Sequence, residues 1–223
     1  MAIPFESRDG GWDSSSQPWN KPKDVKTEDD KALIESLEPE QTLAPFVPTT
    51  VSERILAQTI EPTDSKVKGI SIGLSRSSKW SKYFDEAERK NSLPEGSLLS
   101  IAAVESMGDP GAGSPAGAVG LMQMMPDTAR SLDLTVDERL DERLDPVKSI
   151  DAAGRFFGNL VRKSGGDLNE ALMKYNWGWG NVSGWKKNDP DTMPKETGEY
   201  LGRWNAAMRL QEESKAGINS PKP

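Results

Sequence analysis

From about Ser78 onward, apolar residues recur at offsets of three, four and seven, and nowhere alternate for long with a period of two. That pattern predicts helices and an all-α fold. Trp80, Tyr83, Phe84 and Ala87 share one face of an amphipathic helix that ends near Asn91. Leu93-Pro94-Glu95 opens the next helix, with Pro94 suited to its first turn. Its body, LLSIAAVE, is apolar nearly all round, as a helix buried in a domain core is. GDPGAGSPAGAVG follows as an irregular loop, and Pro126 starts a short helix through Arg130 and Ser131. Asp151 to Lys163 carries a stripe of Ala152, Phe156, Leu160 and Val161. Leu168 to Tyr175 is a short helix closed by Trp-Gly-Trp-Gly, and Tyr200 to Leu210 carries Leu201, Trp204, Ala207 and Met208. Between them, DERLDERLD at 137–145 predicts Leu140 stacked under Leu144 with its charges solvated. Residues 79–210 form a single helical domain on this reading, large enough to bury a core, and 211–223 a loose tail.

Residues 1–78 differ in character. They are rich in Pro, Ser, Asp and Lys, with prolines at 39, 45 and 48 interrupting EPEQTLAPFVPTT. Such a stretch buries too little apolar surface to offset its chain entropy, so it is expected to be extended or disordered alone. Two short helices are predicted within it, over Asp30–Leu37 and Ser52–Ile60. They suit elements that fold against a protein partner, or a plain linker.

Charge and composition narrow the chemistry. Lys plus Arg number 28 against 35 Asp plus Glu, a formal net charge of -7, so nucleic acid is not an expected partner. No stretch reaches the ~18 apolar residues of a membrane span. MAIPFESRDGGWDSSS has no basic region followed by an apolar one, so delivery outside the cytoplasm is expected to use another route. Cys and His are both absent. That excludes disulfides, Cys- or His-built zinc sites, and Cys-His or Ser-His-Asp nucleophiles. No metal and no cofactor is expected. The chemistry left is that of carboxylates, hydroxyls, amides, Lys and Arg.

Glu105 is the carboxylate that draws the eye. It stands at the end of the buried rod, sharing a face with Leu98, Ile101 and Ala102. Desolvation there disfavours the charged form, the adjustment that a general acid needs near neutral pH. The plainer reading is a helix-end glutamate that reaches solvent.

The residues beyond it carry a resemblance. ESMGDPGAGSPAGAVGLMQMMPDTA, ALMKYNWGWGNV and MPKETGEYL stand in that order and resemble three blocks of the soluble lytic transglycosylase family, whose catalytic domain is similar to goose-type lysozyme. The match runs through Glu105, Ser106, Ser114, Gly117, Gly120, Gln123, Met125, Tyr175, Asn176, Glu196 and Tyr200, and covers about residues 80 to 210. Departures fall at Gly108, where the family usually has an aromatic, at Trp177 for Ala, at Gly198 for a frequent Arg, and at Phe157 near a customary Tyr-Leu.

The resemblance implies a lysozyme-like fold and a peptidoglycan lytic transglycosylase. Glu105 would protonate the oxygen between N-acetylmuramic acid and N-acetylglucosamine, then take the muramoyl 6-hydroxyl proton as a 1,6-anhydro ring closes. It also implies that Ser114 and Gln123 hydrogen-bond the sugars, that Met125 walls the site, and that Tyr175 reaches the reacting centre. Glu196 would bind substrate or orient Tyr175. Trp177, Trp179 and Trp185 are open to sugar stacking or core packing. The missing leader favours a virion-associated enzyme acting in the host periplasm during phage genome delivery, with protein partners bound through residues 1–78. The alternative is a bacterial periplasmic enzyme on a specialised export route. A structural virion or secretion component, with a hydrolytic or inactive domain, is the competing function.

Overall fold

The computed structural model describes residues 55–188 and 193–217. The predicted helix at Asp30–Leu37 and the proline-broken stretch after it lie outside the described residues. In chain order the elements are α1 (Asp64–Ser77), a 3-10 turn (Ser78–Trp80), α2 (Ser81–Lys90), α3 (Ser97–Ser106), α4 (Pro126–Ser131), a second 3-10 turn (Glu142–Leu144), α5 (Pro146–Lys163), α6 (Leu168–Trp177), α7 (Trp179–Asn188) and α8 (Lys195–Lys215). Among the described residues there is no strand, only isolated bridges such as Val119 with Met124.

The apolar rod is the hub. Every residue of α3 but Leu99 is buried, and α1, α2, α5 and α8 all pack on it. A helix with no polar face can only be stable when neighbours cover every side. Its first turn is capped from outside: Glu88, buried on α2, accepts the N–H groups of Gly96 at 2.8 Å and Leu98 at 2.7 Å. Pro94 therefore lies ahead of the helix rather than in its first turn, because Gly96, at φ 83°, breaks the chain between them.

Several boundaries differ from the sequence reading. The helical body begins well before residue 79: α1 packs against α3 and α8, and Ile55 and Ile70 are buried in the core. α1 escaped the pattern because only three of its fourteen residues are buried, and two of those are Gly73 and Ser77. α5 starts at Pro146, since Asp145 caps it by accepting from Val147 N–H and Lys148 N–H. Gly178 alone separates α6 from α7, which takes in the second Trp-Gly of Trp-Gly-Trp-Gly, and α8 runs five residues past Leu210, into the predicted tail.

DERLDERLD does not form the predicted stack. Leu140 and Leu144 are 50% and 47% exposed, whereas Arg143 is 5% exposed. A bridge between Val136 and Asp141 folds the segment back, which turns the charged Arg143 inward.

Candidate active site

Glu105 is 1% exposed, on the last turn of α3. Immediately after it, Met107 (φ 52°) and Gly108 (φ 73°) take left-handed conformations and end the helix. Ser106 fastens that end to the loop by donating to the carbonyls of Ala102 (3.0 Å) and Leu121 (2.8 Å).

The glycine-rich loop is held from within and from behind. Ser114 accepts the Ala118 N–H on its hydroxyl at 3.0 Å, while its own N–H donates to the Ala118 carbonyl at 2.8 Å. Gln123, itself at φ 46°, uses its amide nitrogen on the carbonyls of Ala112 (3.1 Å) and Gly120 (2.9 Å). Its NH2 group is thus committed to the loop. Behind the loop, Arg143 donates to the carbonyls of Gly117 (2.8 Å) and Met124 (2.9 Å) while forking onto Asp141 at 2.9 and 2.7 Å. The guanidinium holds the Asp141 carboxyl below its ordinary range. At Gly120 (φ 85°) the Arg143 carbonyl lies where a side chain would begin, so that glycine is required twice over.

α6 brings Tyr175 to the same place. Its hydroxyl donates to the Met122 carbonyl at 2.9 Å, and its ring packs against Phe156 (5.7 Å) and edge-on to Phe157 (6.0 Å). The Met122 carbonyl thus fixes the direction of the Tyr175 O–H. α8 adds Tyr200 and Arg203, both buried. Burial first, and the neighbouring Glu105 charge second, push both tyrosines well above their ordinary pKa, so each is a neutral O–H at neutral pH. Burial also pulls the Arg203 guanidinium down, while Glu105, Tyr200, Glu199 and Glu196 oppose it. Arg203 lies 6.0 Å from the Tyr200 ring.

The structure thus brings Glu105, Tyr175 and the Met122–Gln123 turn together and places half-buried Met125 at the cap of α4. Half-buried Glu196 sits on the first turn of α8, in the field of Arg203. Met122 and Met124 are core. Trp185 is buried, and the Trp179 ring is covered by the Lys174 ammonium at 3.9 Å. Tyr200 and Arg203 were missed as site residues; their spacing of three from Thr197 and from each other, on a buried helix face, was the available signal. Among the described residues no acidic cluster could hold a metal, and no helix is long and apolar enough to cross a membrane. A groove of about 630 Å³ between α2, α5 and residues 132–135 is not lined by Glu105, and its cations Lys90, Lys148 and Arg155 are all ion-paired.

Comparison with known proteins agrees with this geometry. The family model described as the transglycosylase SLT domain matches residues 82–197, just over half of the 223 residues. The chain belongs to the transglycosylase SLT family. It is 35% identical over 106 residues to the membrane-bound lytic murein transglycosylase F 1 of Alkalilimnicola ehrlichii, covering 45% of this chain and 20% of that one. It is 33% identical over 124 residues to the peptidoglycan transglycosylase gp16 of Escherichia phage T7, covering 53% and 9%. The match therefore spans a fifth or less of these relatives' lengths. An inactive mutant of the lytic transglycosylase Slt from Pseudomonas aeruginosa shares the fold, with a TM-score of 0.51 and 21% identity over 64% of this chain and 25% of that one.

Proposed function

We propose that this SLT-family chain is a peptidoglycan lytic transglycosylase that cleaves the β-1,4 bond between N-acetylmuramic acid and N-acetylglucosamine. The observation that carries this reading is the burial of Glu105 beside two neutral tyrosine hydroxyls. Two-carboxylate glycosidases need a second acid across the bond. The next carboxyl group in the chain, Asp109, instead accepts the Gly111 N–H at 2.9 Å and shapes the loop. A lone acid suits substrate assistance, the recognised exception. Glu105 donates its proton to the glycosidic oxygen, the substrate acetamido group stabilises the developing cation, and Glu105 then accepts the 6-hydroxyl proton as that oxygen closes the anhydro ring. Ser114, the Gln123 side-chain oxygen, Met125 and Glu196 are the groups proposed to hold the sugars.

The test is digestion of purified peptidoglycan followed by mass spectrometry. The wild type is expected to release muropeptides lighter by one water than hydrolytic products, and Glu105→Gln to release at least about a thousandfold less. Equal release by both proteins removes Glu105 from the mechanism; reducing ends from an active wild type replace the lyase with a hydrolase.

The identity with the T7 peptidoglycan transglycosylase supports a virion-borne enzyme that opens the host wall from the periplasmic side during genome delivery. On that reading residues 1–54 are the place to look for virion contacts.

A further inference from the structure

Two departures from the family pattern, Gly108 and Gly198, fall where residues 55–77 come down on the domain. A side chain at Gly108 would begin 2.7 Å from the Gly73 carbonyl and the Ser77 hydroxyl of α1. One at Gly198 would run into the Gln58 carbonyl, and one at Gly202, a turn later on α8, into the Ile60 carbonyl. Residues 58–61 therefore lie backbone to backbone along α8. Ile60 N–H donates to the Gly198 carbonyl at 3.0 Å, and the Gln58 side-chain oxygen accepts the Met193 N–H at 2.7 Å. Ile55 is buried, and ion pairs from Lys66 to Glu199 (3.0 Å) and from Glu61 to Arg209 (3.5 Å) flank the contact. Residues 55–77 lie ahead of the residues that the family model matches, and Gly198 and Gly202 lie just beyond them.

The helix turn so clamped is the one that carries Tyr200 and Arg203. We propose that residues 55–63 are a positioning strap for the catalytic acid, fixing α8 so that Tyr200 and Arg203 face Glu105. This rests on Glu105 being that acid. The strap does no chemistry; it acts through α8. The groups that bear on Glu105 are Tyr175 from α6 and Tyr200 and Arg203 from α8, with Glu196 and Glu199 acting on Arg203 and Lys66 holding Glu199. A guanidinium and a hydroxyl beside a carboxyl both favour its charged form, so loosening them raises the pH at which the acid loses its proton.

The experiment follows initial rates of anhydro-muropeptide release from about pH 4.5 to 8.5 in the full chain. Gly198→Ala and Gly202→Ala are expected to move the alkaline limb upward by roughly half a pH unit or more and to cut the maximal rate several-fold. Arg203→Met should move the limb the same way. Gly158→Ala crowds Asn91 at the C-terminal cap of α2, away from α8, and serves as the matched control: it lowers the melting temperature and leaves the limb in place. Gln58→Ala removes the acceptor for Met193 N–H, and carries the same expectation in a milder form should Gly202→Ala not fold. Unmoved limbs in the strap variants, or an equal shift in Gly158→Ala, overturn the proposal. An active Glu105→Gln protein would instead sink the reading on which it rests, so the two failures are separable.

Discussion

At the scale of single residues, Glu105 is balanced between opposing influences. Burial in α3 disfavours its charge, while Arg203 favours it and Tyr175 and Tyr200 stand near as neutral O–H groups. On the proposed mechanism, in which it acts first as acid and then as base, Glu105 gains from such a balance, since either extreme would disable one step. The apolar run around Glu105 made its burial legible in the sequence. Arg203 was illegible because nothing local distinguishes a buried arginine from a solvated one; its α8 neighbours at 199 and 209 are charged and more exposed. Arg143 hid in the same way, in a stretch that reads as solvated charge. Its guanidinium satisfies two loop carbonyls and a carboxylate together, a geometry that an ammonium cannot reproduce. Arg143→Lys is therefore expected to cost about 2–3 kcal/mol in thermal or urea unfolding and to lower the rate at least tenfold with Glu105 untouched. Stability and rate both within error of the wild type would show that the loop holds its shape without that fork.

At the scale of elements, α3 is positioned at one end by Glu88 and presents Glu105 at the other. Glu88 sits on α2 and caps α3 across a gap that the hydrophobic pattern bridged with Pro94, so a long-range cap escaped a local reading. Burial pushes the Glu88 carboxyl from an ordinary 4.5 up to about 7, against the pull of the Gly96 and Leu98 N–H groups. The linkage sign follows from proton counts. Between those two values the folded chain holds a proton that the unfolded chain has lost, so stability is fully present below about 4.5 and declines as pH rises through about 7. The decline is bounded at about 3 kcal/mol by the size of the shift. Glu88→Gln cannot titrate. Unfolding free energies at about pH 5 and pH 8 should therefore fall further for the wild type than for Glu88→Gln, with the other groups cancelling in the difference. Parallel pH profiles would mean that the capped carboxylate is charged throughout.

At the scale of the molecule, the question is where the domain starts. Composition placed the boundary near residue 79 because the stretch before it lacks clustered aliphatics, and the family model begins at 82. What composition cannot register is how few side chains α1 and the strap need. They join the core through Ile55, Ile70 and Leu74, and otherwise by close backbone contact, Gly73 against Ala103 and residues 58–60 against Gly198 and Gly202. Glycine-mediated contact leaves no hydrophobic stripe, which is why α1 went unread, whereas the helix expected over Ser52–Ile60 is present at 55–57, within the part of it that is described. Removing residues 55–78 would strip one side of the buried α3, Ala103 included, and would uncover the Gly198–Gly202 groove on α8. Burying each isoleucine contributes roughly 2–3 kcal/mol, a large part of a small domain's margin. A chain cut to residues 79–217 is thus expected to aggregate or melt well below one spanning 55–217, while removal of 1–54 leaves the melting temperature within a few degrees. Equal melting temperatures for the 79–217 and 55–217 chains would return residues 55–78 to the status of linker. The strap would fall with them, since an element that contributes nothing to the domain's stability cannot hold α8 against Glu105.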